Sequence, residues 1–277
     1  VARSLARGES PSGDLIPWTI SQQFQEAEFA HLSGARIVRI AVHPELQRMG
    51  YGSRAVELLR RYYAGDFAQP RAGGGAAAAP ASRLAGDEGL RSERIAPRAE
   101  LPPLLLTLTQ RPPERLNWLG TSFGVTEQLY NFWHRAGYRP VYVRQTKNEL
   151  TGEHTSVLLC TVGGGASAVA WLPQLVNDFR RRFCALLANA FRGMGCGLAL
   201  SILAPEMQAE TRAPPAAELS ELFTEYDFKR LASYARSLSD HHFITDLVPL
   251  LARLRCSGKL VTPPSHVQAA ARVAAGR

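Results

Sequence analysis

The segment from Arg36 to Tyr63 constrains the fold of this chain more than any other. Residues 36–42, Arg-Ile-Val-Arg-Ile-Ala-Val, are mostly β-branched and apolar, and His43-Pro44 ends the run because proline cannot donate to a ladder. From Gly50 to Tyr63 the apolar positions Ala55, Val56, Leu58, Leu59 and Tyr62 recur at helical spacing, with Arg54, Glu57, Arg60 and Arg61 between them. The pattern predicts a buried strand over 36–42 and a helix from Gly50 to Tyr63 packed on a sheet. Between them lies Gln47-Arg48-Met49-Gly50-Tyr51-Gly52.

That turn has the chemistry of a phosphate cradle. Two glycines let the chain turn tightly and let anionic oxygens approach main-chain amides, and the helix that opens there adds the positive end of its dipole. A dinucleotide-binding turn fits less well, because Gly50-Tyr51-Gly52 is followed by Ser53-Arg54-Ala55 and lacks a third glycine. A Gly-x-x-x-x-Gly-Lys-Ser/Thr phosphate loop does not occur in the sequence. Ile40, Ala41 and Val42 would offer a strand edge to the extended part of a ligand.

Downstream, residues 68–100 pass through Arg-Ala-Gly-Gly-Gly-Ala-Ala-Ala-Ala-Pro-Ala-Ser into mixed charges, too poor in large apolar groups to offset the entropy of ordering. A disordered insertion is expected there, with order resuming at Leu101–Leu106. Leu116–Ser122 reads as a strand. A helix should follow from Thr126 as N-cap through Leu129, Tyr130, Phe132 and Trp133 to Ala136, closed by Gly137 at the left-handed position. Tyr138–Gln145 and His154–Val162 read as two strands joined by a turn. The order of elements is that of an α/β domain with a mixed sheet flanked by helices.

Gly163-Gly164-Gly165-Ala166-Ser167 is read as a joint between a first domain at 1–162 and a helical one at 168–277. Apolar residues at helical spacing over 169–192, 219–238 and 243–254 predict a mostly α-helical second domain. Little remains to be buried beyond Lys259-Leu260, so this domain is expected to be incomplete.

Composition bounds the partners. The chain of 277 residues carries a formal charge of +8, which suits a phosphate-bearing partner. The excess is spread evenly, with 19 basic and 15 acidic residues before position 163 and 13 and 9 after it, so it does not localise a binding face. Cys160, Cys184, Cys196 and Cys256 are widely spaced, with no Cys-x-x-Cys pair and no histidine at ligand spacing. They read as buried reduced thiols, and no metal site is expected. No run approaches the roughly 18 apolar residues of a membrane span, and no membrane partner is expected. The N-terminus, Val1-Ala2-Arg3-Ser4, lacks an initiator Met, so the chain is expected to be part of something longer.

Strand, His-Pro, Gln-x-x-Gly-x-Gly and amphipathic helix together resemble the central motif of the GNAT acetyltransferase superfamily. Further blocks narrow the resemblance to the RNA cytidine acetyltransferases: Arg39-Ile40-Ala41-Val42-His43-Pro44, Met49-Gly50-Tyr51-Gly52-Ser53-Arg54, Tyr62-Tyr63, Gly13-Asp14-Leu15-Ile16-Pro17-Trp18, Leu101–Leu106, Glu114-Arg115-Leu116, Phe132-Trp133, Arg135-Ala136-Gly137-Tyr138 and Arg144-Gln145-Thr146. The resemblance implies transfer of acetyl from acetyl-CoA to the exocyclic N4 of cytidine in small-subunit rRNA and tRNA. It also implies ATP use by a preceding helicase-like module absent from this chain, a tRNA-binding adaptor protein as a partner, and residence in the nucleus and nucleolus. It places acetyl-CoA contacts on Ile40, Ala41, Val42, Gln47, Arg48, Met49, Gly50, Tyr51, Gly52, Ser53 and Arg135. Arg135 lies in the last turn of its helix, where a cation is favoured, and could pair with a CoA phosphate. In the helical domain, which the resemblance makes tRNA-binding-like, Arg180, Arg181 and Arg182 are candidates for RNA contact.

No general base is assigned by sequence. His43, His134, Glu153 and His154 qualify by residue type alone, and Tyr130 is a candidate to protonate the departing thiolate. Two other readings remain open at this level: a GNAT enzyme acting on protein amines, and a non-catalytic RNA-binding module of ribosome assembly.

Overall fold

The computed structural model describes residues 15–67, 111–162, 171–207, 216–257 and 259–260. The expected insertion at 68–100, the strand-like Leu101–Leu106, the glycine joint and the C-terminal tail all lie outside these residues.

Four strands, β1 (Gly34–Ile37), β2 (Trp118–Gly124), β3 (Arg139–Lys147) and β4 (His154–Thr161), form one sheet in the order β1-β2-β4-β3. β1 runs parallel to β2, whereas β2 and β3 both pair antiparallel with β4. The sheet is thus mixed, as the element order predicts. The β3–β4 connection is a tight hairpin because the Asn148 side chain accepts from the amides of Leu150 and Thr151, while the Asn148 amide donates to the Glu153 carbonyl at 2.8 Å.

The period of two along β4 divides the core. Leu158 and Cys160 face a cluster with Leu119, Val56, Tyr130 and Trp133, and Val157 and Leu159 face another with Trp118, Ile16, Ile20 and Phe29. The first face is covered by α2 (Tyr51–Ala64) and α3 (Glu127–Arg135), the second by α1 (Leu15–Phe24). The α3 boundaries follow the predicted caps: Thr126 accepts from the Leu129 amide through its side chain, and Gly137 takes φ 90°.

The helical part continues the same core. α4 (Trp171–Leu186) sends Leu172, Leu175 and Val176 into the α1 face and Phe179 and Phe183 into the opposite one, so it wraps the exposed edge at β3. α5 (Cys196–Met207) buries Ala199, Ile202 and Leu203 against α3. A third cluster, built on Phe223, Ile244, Leu247 and Leu254, ties together α6 (Ala216–Leu222), α7 (Glu225–Ala235), the 3₁₀ turn His241–Leu247 and α8 (Val248–Cys256). The helix expected across 219–238 is broken at Thr224. There a capping box pairs the Thr224 hydroxyl with the Asp227 amide and the Asp227 carboxylate with the Thr224 amide. All four cysteines are free thiols, Cys160 and Cys256 buried and the other two half-buried.

One strand differs from expectation. Residues 38–42 do not continue β1 and are not buried; Val38 and Ile40 are 66% and 37% exposed. The parallel ladder ends at the Ile37–Thr121 pair, although β2 continues to Gly124. The apolar run leaves the sheet and diverges from β2. This leaves a gap in the ladder at the carboxyl ends of two parallel strands, a position where ligands commonly enter such sheets.

Candidate active site

The turn that follows this gap is shaped by backbone conformation. Arg48 has φ 65° and Gly50 φ 89°, two left-handed residues within three positions. At Gly50, the N-cap of α2, a side chain would be strained whatever the space around it. The first ladder bond of α2 runs from the Arg54 amide to the Gly50 carbonyl at 2.9 Å, so the amides of Tyr51, Gly52 and Ser53 precede the ladder at the helix's positive end. Such a cradle fits a pyrophosphate. Gln47 donates from its side-chain amide to the Val42 carbonyl at 3.4 Å and thereby ties the turn to the end of the diverging segment. Met49 and Tyr51 are exposed at 64% and 56%, leaving apolar surface beside the cradle for an organic ligand.

Sequence reasoning placed Phe132 on the helix but gave it no place in the site. A Cβ placed on Gly52 would meet the Phe132 ring at 3.5 Å and a Val42 methyl at 3.6 Å, so α3 reaches the start of α2. On α3, Gln128, Asn131, Phe132 and Arg135 share one side at helical spacing, and Tyr130 and Trp133 occupy the buried side. Arg135 is exposed one turn beyond Phe132 on the same side of the helix. A cavity of about 650 Å³ at the start of α3 is lined by Thr126, Glu127, Gln128 and Asn131. Thr126 was legible as the N-cap, whereas Glu127, Gln128 and Asn131 carried no sequence motif for a site.

The candidates for proton transfer are scattered. Tyr130 is fully buried and its hydroxyl donates to the Ile202 carbonyl of α5 at 3.4 Å, so the side chain suggested for thiolate protonation is a member of the core. His154 is buried, with Nδ1 2.8 Å from the Arg144 carbonyl and its ring edge-on to Phe191. The nitrogen facing a carbonyl must carry the proton, which fixes this imidazole as a structural donor. His134 receives the Arg139 guanidinium at Nε2 at 2.6 Å and stacks on Tyr130. His43 is exposed at the N-cap position of the short 3₁₀ turn Pro44–Leu46, with no capping hydrogen bond from its side chain. Glu153 is half-buried, with its carboxylate lying over Gly124, the last residue of β2.

The arginine triplet of α4 does not form one outward patch. Arg180 is buried and reaches the Ser257 carbonyl at 3.5 Å. Arg182 donates to the Gln23 carbonyl, covers the Phe24 ring at 4.9 Å and pairs with Asp178 at 2.6 Å. Arg181 is the most exposed of the three and pairs with Asp178 at 2.8 Å. Adjacent residues on a helix point about 100° apart, and here the packed neighbours of α4 claim two of the three directions.

Comparison with known proteins agrees with this architecture. Residues 1–163 match the family model GNAT acetyltransferase 2, and residues 171–276 match the model described as a possible tRNA binding domain. Among curated relatives, the RNA cytidine acetyltransferase of Mus musculus is 48% identical over 261 residues, covering 92% of this chain and 25% of the relative. The Saccharomyces cerevisiae protein of the same name is 41% identical over 293 residues, covering all of this chain and 28% of the relative. That of Achlya ambisexualis is 56% identical over 197 residues, covering 69% of this chain and 53% of the relative. The chain therefore spans about a quarter to a half of the length of these relatives. With the matched domain, the mixed sheet and the glycine cradle in agreement, the chain belongs to the GNAT acetyltransferases, in the group whose curated members bear the name RNA cytidine acetyltransferase.

Proposed function

We propose that the protein to which this chain belongs transfers acetyl from acetyl-CoA to the exocyclic N4 of cytidine in RNA, with small-subunit rRNA and tRNA as acceptors. The observation that carries the reading is the diverging gap beyond the Ile37–Thr121 pair, with the Gly50–Ser53 cradle at its mouth. Amides of residues 51–53 would hold the pyrophosphate, main-chain groups of Ile40, Ala41 and Val42 would align the pantetheine arm, and Arg135 would pair with a phosphate. Acetyl-CoA supplies the acetyl group as a thioester. Cytosine N4 is a poor nucleophile because its lone pair is delocalised into the ring, so holding it close to the carbonyl must supply much of the acceleration.

The acceptor is inferred from the relatives' name and from the tRNA-binding match. Aromatic and cationic groups interleave on α7, where Tyr226 is 74% exposed with the Lys229 ammonium 5.5 Å from its ring centre, a surface type that suits unstacked bases. A cytidine paired within a duplex must be freed before attack, which an ATP-using helicase-like module elsewhere in the protein would achieve. A tRNA-binding adaptor would present tRNA, and the rRNA substrate implies residence in the nucleus and nucleolus.

Incubating the full-length protein with labelled acetyl-CoA and either RNA or protein acceptors tests the reading. Label on cytidine is expected. Label on protein and none on RNA would favour the protein-amine alternative, and no acetyl-CoA binding by calorimetry would favour a non-catalytic RNA-binding module.

A further inference from the structure

We infer that Glu153 is the proton acceptor for the attacking amine, delivered from the β3–β4 hairpin into space left open by Gly124; the inference rests on the acetyl-transfer reading above. Gly124 is the last residue of β2 and lies three positions beyond the final β1 pair, at the open end of the gap. It is registered against Thr155, so Glu153, two residues before Thr155, falls on the same face of the sheet. A Cβ at Gly124 would collide with Glu153 Oε2. The carboxylate therefore occupies the volume of the side chain that β2 lacks.

The backbone that presents Glu153 is held on both sides. Its carbonyl accepts from the Asn148 amide at 2.8 Å, and its amide donates to the Thr151 hydroxyl at 3.4 Å. Its side chain is half-buried, and among the described residues no ion pair occupies the carboxylate. Neighbouring positions on this face, Ser122 and Thr155, are polar and half-buried, whereas deeper on the same face Gly120, Val157 and Leu159 pack on α1. The face thus changes from apolar core to polar surface at the end of β2, where a polar heterocycle could sit.

Two of the other candidates of suitable type are engaged elsewhere: His154 donates to the Arg144 carbonyl and His134 accepts from Arg139, while His43 is exposed at the N-cap position of a 3₁₀ turn on the β1 side of the gap. In the step assigned to Glu153, N4 forms a bond to the thioester carbonyl carbon and the carbon–sulfur bond breaks. One N4 proton passes to the Glu153 carboxylate, and coenzyme A leaves as the thiolate, to be protonated by solvent.

Two variants test this in the full-length protein. Glu153→Gln keeps the shape and removes the proton acceptor. It should lower kcat for cytidine acetylation by about 10²–10³-fold, within the range for one general base. The acid limb of the rate profile should disappear, while acetyl-CoA affinity by calorimetry and the melting temperature stay unchanged. Gly124→Ala should displace the carboxylate, a flexible side-chain end that can move, and lower kcat at least 10-fold with acetyl-CoA affinity intact. A Glu153→Gln protein with wild-type kcat and an unchanged acid limb would overturn the inference and leave the acetyl-transfer reading standing. A wild-type protein that binds acetyl-CoA but leaves RNA unlabelled would overturn both.

Discussion

Gly50 is the residue at which backbone geometry bears on the proposed cofactor cradle. Its φ of 89° favours glycine, and the cradle amides follow directly. Gly50→Ala forces an L side chain into that region at a cost of about 1 kcal/mol, or relaxes the turn and misdirects the amides. Calorimetry should show acetyl-CoA binding weakened by at least 5-fold, and Gly50→Glu, which adds an anion at the phosphate site, should abolish it. Wild-type affinity in Gly50→Glu would remove the cradle from the account. This turn was legible in the sequence because glycines between a β-type run and a helix admit few conformations. Residue roles set by long-range packing were not. Tyr130 and His154 carry the right functional groups, yet each side chain points to a neighbour, Ile202 or Phe191, that is distant in sequence. Glu153 and Gly124 are likewise joined only by strand register.

At the scale of elements, the strand at 36–42 shows how an apolar run can mislead. Composition marks Ile37, Val38, Ile40 and Val42 as buried, but the ladder stops at Ile37 and the remainder lines an open gap. α5 was missed for the opposite reason: it is apolar on nearly every side, so it lacks the two-sided pattern that marks a surface helix. The small cluster of α6, α7 and α8 has an electrostatic fastening of its own. Arg230 on α7 bonds Asp246 at 2.9 Å and also pairs with Asp227, and it holds both carboxyls below their usual range. A depressed carboxylate pKa contributes stability that is present above the unfolded value near 4 and is lost as pH falls through the lower folded value. Arg230→Met should therefore move acid unfolding of this cluster upward towards about pH 4, followed by tryptophan-independent probes such as amide exchange in α7. An unchanged acid transition would mean that the three groups are not coupled in solution.

For the molecule as a whole, the sheet and the helices that follow it form a continuous interior. Phe183 of α4 is buried in the same cluster as Tyr130, Trp133 and Leu158 of the sheet domain. Phe183→Ala should cost about 3–5 kcal/mol and lower the melting temperature of the sheet and helical parts together. Two separate transitions, with only the helical one shifted, would show that they fold independently. Sequence patterning separated the two parts at the glycine joint, since hydrophobic periodicity changes there; it could not reveal that α4 caps the β3 edge, because periodicity identifies a buried face but not its partner. The same continuity joins the glycine turn of the sheet domain and the helical surface through one core, as the proposed acetylation of RNA would require. The most direct test of the central claim is nucleoside analysis by mass spectrometry of a cytidine-containing rRNA or tRNA substrate after incubation of the full-length protein with isotopically labelled acetyl-CoA and ATP. The account predicts labelled N4-acetylcytidine that is lost in Gly50→Glu. Acetyl label confined to protein, or absent from RNA with acetyl-CoA binding intact, would contradict it.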